Sequence, residues 1–339
     1  MIVIPRKLGR VVPCRLILWP TETFLKELAE NLPLTQYARI AFARTDLDHG
    51  RCIVSHTLSL TLLIDLQRPL KAIYKNLIEN ARIRIHKAEK LGSRLTLRHY
   101  SGGPDQDHLV EQFVDLYNDF AHGKPLETTP VSVADEYSYF PSADLVMAYL
   151  DNQPICGHLN LIDRETGIVR MHHSAGRRFH DPATARLAGI ANVYLHWHEL
   201  EKYREDGFAA YDFGSLGQVE DSVGVNRFKM QFGGTIIREH NYILAGMPAA
   251  WRAASSLMCL ISSSWKRRAQ VQKAGERWRD MPLELIRQIV ESSVTDFQRN
   301  LQSRRGGTSD KRPNRPGRAV LEADAMGFES RQGKASERE

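Results

Sequence analysis

The tightest constraint in this 339-residue sequence is a pair of very short connections. Two runs that read as strands, DLVMAYLDN and PICGHLNLID, meet at Asn152-Gln153-Pro154, and Arg164-Glu165-Thr166-Gly167 turns the second into a third, IVRMHHSAG. Connections this short leave no room for a crossover, so the three strands run antiparallel. Upstream, RLTLRHY predicts a strand and DHLVEQFVDLYNDFAHG a helix. Downstream, TARLAGIANVYLHWHELEKYREDG predicts a long helix ending at Gly207, followed by the strand AAYDFG, a short helix NRFKMQF and a last strand TIIREHNYIL. Residues 94–246 therefore read as an α+β unit: a mixed, mostly antiparallel sheet flanked by helices, not a doubly wound one.

The remaining chain falls into four parts around that unit. Residues 1–66 mix short strand-like runs (RLILW, ARIAFAR, TLSLTLLIDL) with one helical segment, FLKELAENL, and form a short N-terminal αβ region, too little to close a domain alone. Residues 67–92 predict one helix that leads the main domain (67–246), with Ile73, Leu77, Ala81, Ile85 and Ala88 at helical spacing and Gly92 ending it. On that helix Lys71, Lys75, Arg82 and His86 share a second, basic stripe. Residues 247–301 predict a helical C-terminal extension in which Arg252 and several serines argue against a membrane span, while docking on a membrane surface stays open. Residues 302–339 have the composition of a disordered tail.

A net charge of +6 suggests a nucleic-acid binder until it is located. Lys266 onward holds 17 Lys and Arg against 11 Asp and Glu, whereas residues 1–264 hold 29 of each, so the excess belongs to the C-terminal part. Within the body, residues 68–98 carry nine bases and two acids, and residues 101–144 one base and nine acids. These blocks pair with each other, or the first faces an anionic substrate. Cys14, Cys52, Cys156 and Cys259 are scattered without CxxC spacing, and the N-terminus shows no export signal. Reduced thiols in a cytoplasm are expected, with peripheral contact at the inner membrane face as an extension.

Three phrases carry a family resemblance. GFAAYDFGSLG followed by GVNRFKMQFGG resembles the FemAB family, whose members show a Gly-x-x-x-Tyr-Asp-Phe-Gly-Gly strand and then Phe-Lys-x-x-Phe-Gly-Gly. ARIRIHKAEKLG is similar to that family's stretch around an Arg, a Lys-Ala and a following Gly. The resemblance spans about residues 60–246 and implies a GNAT-type acyltransferase, related to exopolysaccharide-associated and other envelope acyltransferases. It implies transfer of an aminoacyl group from aminoacyl-tRNA to the amine of a peptidoglycan precursor, with Lys229 near the acyl donor and Phe228 beside it. This chain departs from the pattern at Ser215, which replaces a glycine, in its short N-terminal region, and in having no evident coiled-coil arm.

Acyl transfer to an amine needs a donor carbonyl held for attack and stabilisation of the oxyanion that forms, but no covalent enzyme intermediate. A GNAT sheet splays after its fourth strand, for which IVRMHHSAG is the candidate. Lys229 suits the oxyanion or a phosphate, Asp212 a general base or an orienting group, and Phe228, Tyr211, Arg82 and Lys87 substrate binding. The alternatives at each position are a surface lysine and a turn-capping aspartate. Acyl-CoA would need close backbone approach at the start of the long helix; Gly176, Arg177 and Arg178 offer charge there, but Asp181 and Pro182 disfavour it. No tightly bound cofactor is expected, and the donor stays open between aminoacyl-tRNA and acyl-CoA.

Rival readings are weaker. Cys156 and His158 share a strand face and could pair as thiolate and base, although strand cysteines are mostly inert core residues. His172 and His173 should point to opposite faces, His196 and His198 should diverge on a helix, and no metal set follows from them or from His180. The remaining functional alternatives are an acetyl-CoA-dependent N-acetyltransferase for a small amine and a non-catalytic protein binding RNA or a membrane surface through its basic C-terminal region. Truncation at residue 264 separates the last from a transferase.

Overall fold

The computed structural model describes residues 1–250 apart from 9–11, 48, 101–106, 124–129, 180, 218–222 and 249. The expected helical extension beyond residue 250 and the tail at 302–339 lie outside the described residues. So does Cys259.

The strands are β1 (Ile2–Leu8), β2 (Val12–Leu18), β3 (Tyr37–Ala43), β4 (Ile53–Asp65), β5 (Leu95–Tyr100), β6 (Ala143–Leu150), β7 (Gln153–Asp163), β8 (Ile168–Gly176), β9 (Ala210–Leu216) and β10 (Thr235–Ala245). They form a single sheet in the order β1-β2-β3-β10-β4-β9-β8-β7-β6-β5. The helices are α1 (Glu22–Asn31), α2 (Leu70–Asn76), α3 (Glu79–Glu89), α4 (Asp107–Gly123), α5 (Val133–Tyr137), α6 (Pro182–Glu205) and α7 (Val223–Met230). The expected α+β class and mostly antiparallel sheet are what the chain adopts, with only β2–β3 and β8–β9 parallel.

The short connections act as expected. Asp151 and Asn152 both take positive φ (50° and 64°), the conformation of a tight hairpin turn whose twist matches its strands, and Leu150 pairs with Gln153. Strands β6 and β7 are buried along nearly their whole length, since α4 and α6 both contact them. Residues 1–66 supply β1–β4 to this same sheet, and Ile2, Ile4, Leu18 and Trp19 join one core cluster with Phe113, Tyr139, Leu145 and Leu159. Strand β1 was not anticipated. Pro5, Arg6 and Lys7 hide its alternation, and a proline is tolerated there because β1 is the sheet edge.

The single helix expected over 67–92 is two. Leu77 and Ile78 are extended (ψ 139° and 156°), and the Ile78 N–H donates to Gln231 O at 3.0 Å. Gly233 packs against Asn76 at the same break, so the turn after α7 is wedged between α2 and α3. The five apolar positions are all buried as expected, but the basic stripe is divided, with Lys71 and Lys75 on α2 and Arg82 and His86 on α3. Gly92 takes positive φ (56°) and opens a short 3-10 turn to Arg94 before β5.

Candidate functional site

Strands β8 and β9 pair over only three positions, Ile168 with Ala210, Val169 with Tyr211 and Arg170 with Asp212. Beyond them β8 follows β7 as far as Gly176, while β9 follows β4 as far as Leu216. The sheet therefore opens into a wedge bounded by Met171–Gly176 and Phe213–Leu216. The expected splay after IVRMHHSAG begins inside that segment, at Met171.

A cluster of charges closes the base of the wedge. Arg170 donates to Asp212 Oδ2 at 2.7 Å and to both oxygens of Glu239 at 2.9 Å. Arg44 lies 3.7 Å from Asp212 and 3.3 Å from Glu239, and the Arg170 guanidinium stacks 3.7 Å over the Phe42 ring. Asp212 Oδ1 accepts from the Gly214 amide at 2.8 Å and from the Thr61 hydroxyl. This fully buried carboxylate accepts three hydrogen bonds and pairs with two guanidinium groups, an arrangement that suits a clamp better than a base. Burial pushes the Glu239 pKa up, and Arg170 opposes the shift.

Lys229 sits at the wedge mouth. It is 6% exposed, and its Nζ donates to Ser215 O at 2.8 Å. Gly214 has φ +73°, and a Cβ there would meet Met171 O at 2.9 Å and Lys229 Nζ at 3.8 Å, so the close approach of the two strands here requires a glycine. Ser215 accepts from Arg170 at 3.3 Å through its hydroxyl. Helix α7 is fixed by Asn226, which exchanges two hydrogen bonds with the Gly217 backbone, and by the Phe232-Gly233-Gly234 turn. A Cβ on Gly234 (φ +99°) would stand 2.6 Å from Leu63 O.

Behind Lys229 lies a buried polar network. The Tyr211 hydroxyl donates to Glu199 Oε2 at 2.7 Å and meets His196 Nδ1 at 3.0 Å, while His158 Nδ1 reaches the same Glu199 oxygen at 2.9 Å. Asn160 donates to Glu199 Oε1. Burial opposes ionisation of Glu199, but His158 and His196 hold its pKa well below the usual carboxylate range. Burial, reinforced by the charge of His158, lowers the His196 pKa to about 3, and this neutral ring packs among Phe213, Phe228 and Phe232. Cys156 is buried, its thiol pushed far up by desolvation, and His158 is committed to Glu199 and Asn192, so the cysteine–histidine pair is no nucleophilic couple.

The other expected residues divide. Phe228 adjoins Lys229, with the Arg178 guanidinium 5.1 Å over its ring. Arg84 on α3, Arg178 before α6 and Arg227 on α7 form a cationic group: burial and then Arg227 lower the Arg84 pKa, and Arg178 feels the charge of Arg84. Arg82 is half-buried with Nη1 at 3.5 Å from Lys75 O, and Lys87 is exposed; both lie on α3, the helix that carries Arg84. Gly176 and Arg177 border a second cleft of about 250 Å³ with Phe120 and Phe179. The α6 N-terminus is capped by Asp181, which accepts from the Ala183 and Thr184 amides at 2.9 and 3.0 Å.

His172 and His173 do not point to opposite faces. Leu159 pairs with His173 but Asn160 with Met171, leaving His172 as the extra residue of a bulge, and the two rings stack at 4.1 Å. His173 binds Glu136 at 3.1 Å; Glu136 Oε1 and His172 Nε2 are buried and lack a hydrogen-bond partner among the described residues. Arg170, Arg44, Glu239 and Glu136 escaped the sequence reading. A buried charge surrounded by apolar residues, as in GIVRMHH or YILAG with its preceding REH, was the signal available.

A family model for an acetyltransferase (GNAT) domain matches residues 75–230. The protein has a GNAT-like fold. Solved structures similar to this GNAT-like chain include FemX, at 12% identity over 73% of this chain and 84% of that one, with a TM-score of 0.49. Another is the C-terminal domain of a protein from Agrobacterium fabrum described as a lysylphosphatidylglycerol synthetase, at 14% identity, 76% and 84% coverage and a TM-score of 0.48. L-PGS from Bacillus licheniformis aligns at 11% identity, 72% and 80% coverage and a TM-score of 0.45. No curated protein sequence matches.

Proposed function

We propose that the chain is an acyl or aminoacyl transferase of FemAB/GNAT type, passing an acyl group directly to an amine, or a sugar hydroxyl, of a cell-envelope precursor. The observation that carries this reading is the ammonium of Lys229, buried at the mouth of the β8–β9 wedge beside Met171 O and Gly214. A carbonyl entering the wedge meets that cation where its oxygen gains charge, in a site screened from water. The acceptor lone pair attacks the carbonyl carbon, the oxyanion collapses, and the donor's ester or thioester bond breaks with its oxygen or sulfur leaving. The choice of envelope acceptor rests on the motif resemblance.

In this reading the proton of the attacking amine passes toward Glu136 Oε1, on α5 beside the β8 lip, a buried carboxylate oxygen with no hydrogen-bond partner among the described residues. Asp212 takes the role of positioning group for the Gly214 turn. The donor enters over α3 and α7, where Arg84, Arg178 and Arg227 offer sites for phosphates. Asp181 already occupies the amides at the start of α6 that a CoA pyrophosphate would use, which favours a tRNA-borne donor.

The test is incubation with labelled aminoacyl-tRNAs, acyl-CoAs and envelope precursors, native protein against Lys229→Ala. Transfer from an aminoacyl donor that falls by about 10²–10³ in the variant is expected, the usual cost of removing one oxyanion-stabilising group. Transfer from CoA alone, unaffected by the substitution, overturns the donor and the role of Lys229.

A further inference from the structure

Asp46, His56 and His240 converge away from the wedge residues described above. Asp46 lies just after β3, His56 on β4 and His240 on β10. His56 Nε2 is 3.0 Å from His240 Nδ1, and Asp46 Oδ1 is 3.3 Å from His240 Nδ1 and 3.7 Å from His56 Nε2. Two nitrogens and one carboxylate oxygen thus mark a nearly equilateral triangle. Ligands bound tetrahedrally to zinc at its usual bond lengths stand about 3.3 Å apart, the middle of the three observed edges.

The surroundings hold these atoms in place. The Tyr242 ring stacks on His56 at 4.5 Å and 12°, and its hydroxyl reaches Asp46 Oδ1 at 3.3 Å, accepts from the Leu47 amide at 2.7 Å and donates to Thr45 O at 3.2 Å. One tyrosine therefore fixes both a histidine ring and the loop carrying the carboxylate, the outer-shell support that metal ligands need. His240 is nearly buried while Asp46 is 46% exposed, which leaves one side open to solvent for entry of an ion and a bound water. The other described triad, His158, His196 and Glu199, is closed on all sides and engaged with Asn192 and Tyr211.

We propose that Asp46, His56 and His240 bind a divalent transition-metal ion, zinc by the spacing and the nitrogen-rich donor set, with water completing a tetrahedron. The ion ties the loop after β3 to β4 and β10. Arg44, two residues before Asp46, and Glu239, beside His240, belong to the charge cluster at the wedge base, so the ion also steadies that cluster.

The experiment uses the full chain, freed of metal by chelation and titrated with zinc by calorimetry. One zinc per chain, a higher Tm with zinc, and visible cobalt(II) bands of four-coordinate intensity are expected. His240→Gln and Asp46→Asn should each weaken binding at least tenfold; Asp46 is on an exposed loop, so its variant keeps the test readable if His240→Gln fails to fold. Uptake well below one ion at micromolar zinc by folded native protein, or unchanged affinity in Asp46→Asn and in folded His240→Gln, overturns the proposal and leaves a histidine–histidine hydrogen bond. The binding readouts do not depend on whether Lys229 supports transfer, so this proposal and the transferase reading fail separately.

Discussion

Arg170 and Asp212 are the last paired residues of the β8–β9 seam, and their side chains meet at 2.7 Å where the strands part. The hinge of the wedge is therefore an ion pair, fully enclosed and shared with Glu239. Removing one member leaves uncompensated buried charge, which costs about 3–5 kcal/mol in such pairs. Arg170→Met should lower urea stability by that order, because two carboxylates then face each other. Asp212→Asn should lose stability and activity together. A variant with native stability and a selective loss of kcat would instead restore Asp212 as the base.

Gly214 can be tested separately. Its positive φ and the 2.9 Å approach of Met171 O make Gly214→Ala unfavourable by more than about 1 kcal/mol. Because the same change fills the wedge mouth beside Lys229, transfer should fall further than stability alone explains. Ser215→Gly removes only the 3.3 Å bond from Arg170 and should cost about 1 kcal/mol or less in urea unfolding.

The antiparallel run β6–β8 was legible because its signals are local. Two short turns force β6–β8 antiparallel, and β9 announces itself in YDFG. Lys229 and Phe228 were singled out through a motif, and their roles belong to the proposal above. The charge cluster was not, because Arg44, Arg170, Asp212 and Glu239 lie on four separate segments that only the folded sheet brings together. The helix break at Leu77 escaped for the same reason: its cause, the Gln231 carbonyl, is more than 150 residues away in sequence. The bulge at His172 inverted an argument from strand alternation, which holds only where pairing is regular.

Acid should destabilise the protein from near neutral pH downward. His196 is neutral when folded, with its pKa lowered to about 3 by burial and His158, whereas in the unfolded chain it titrates near its ordinary 6.5. Between those values the unfolded state binds the extra proton, so this contribution is present above about pH 6.5 and is lost as pH falls through about 3. Glu199, held low by His158, adds loss below its ordinary 4.5. Urea midpoints at pH 7 and pH 5 should differ, and His196→Gln should flatten that difference even though it lowers stability at pH 7. An unchanged slope in the variant would assign the pH dependence elsewhere.

The cationic group over Phe228 makes a prediction about the donor. Arg84, Arg178 and Arg227 come from three elements; burial and then the like charge of Arg227 lower the Arg84 pKa, and burial with the charge of Arg84 behind it lowers that of Arg178, a situation relieved by an anion. If the donor is tRNA, Arg84→Ala and Arg227→Ala should raise KM for it with kcat little changed, because backbone phosphates are bound alike in ground and transition states. Each substitution should also shrink the slope of log affinity against log salt by about one phosphate contact. Lys229→Ala should act in the opposite pattern, reducing kcat with a smaller effect on KM. Arginine variants that lower kcat and leave KM and the salt slope intact would place the donor's phosphates away from this face.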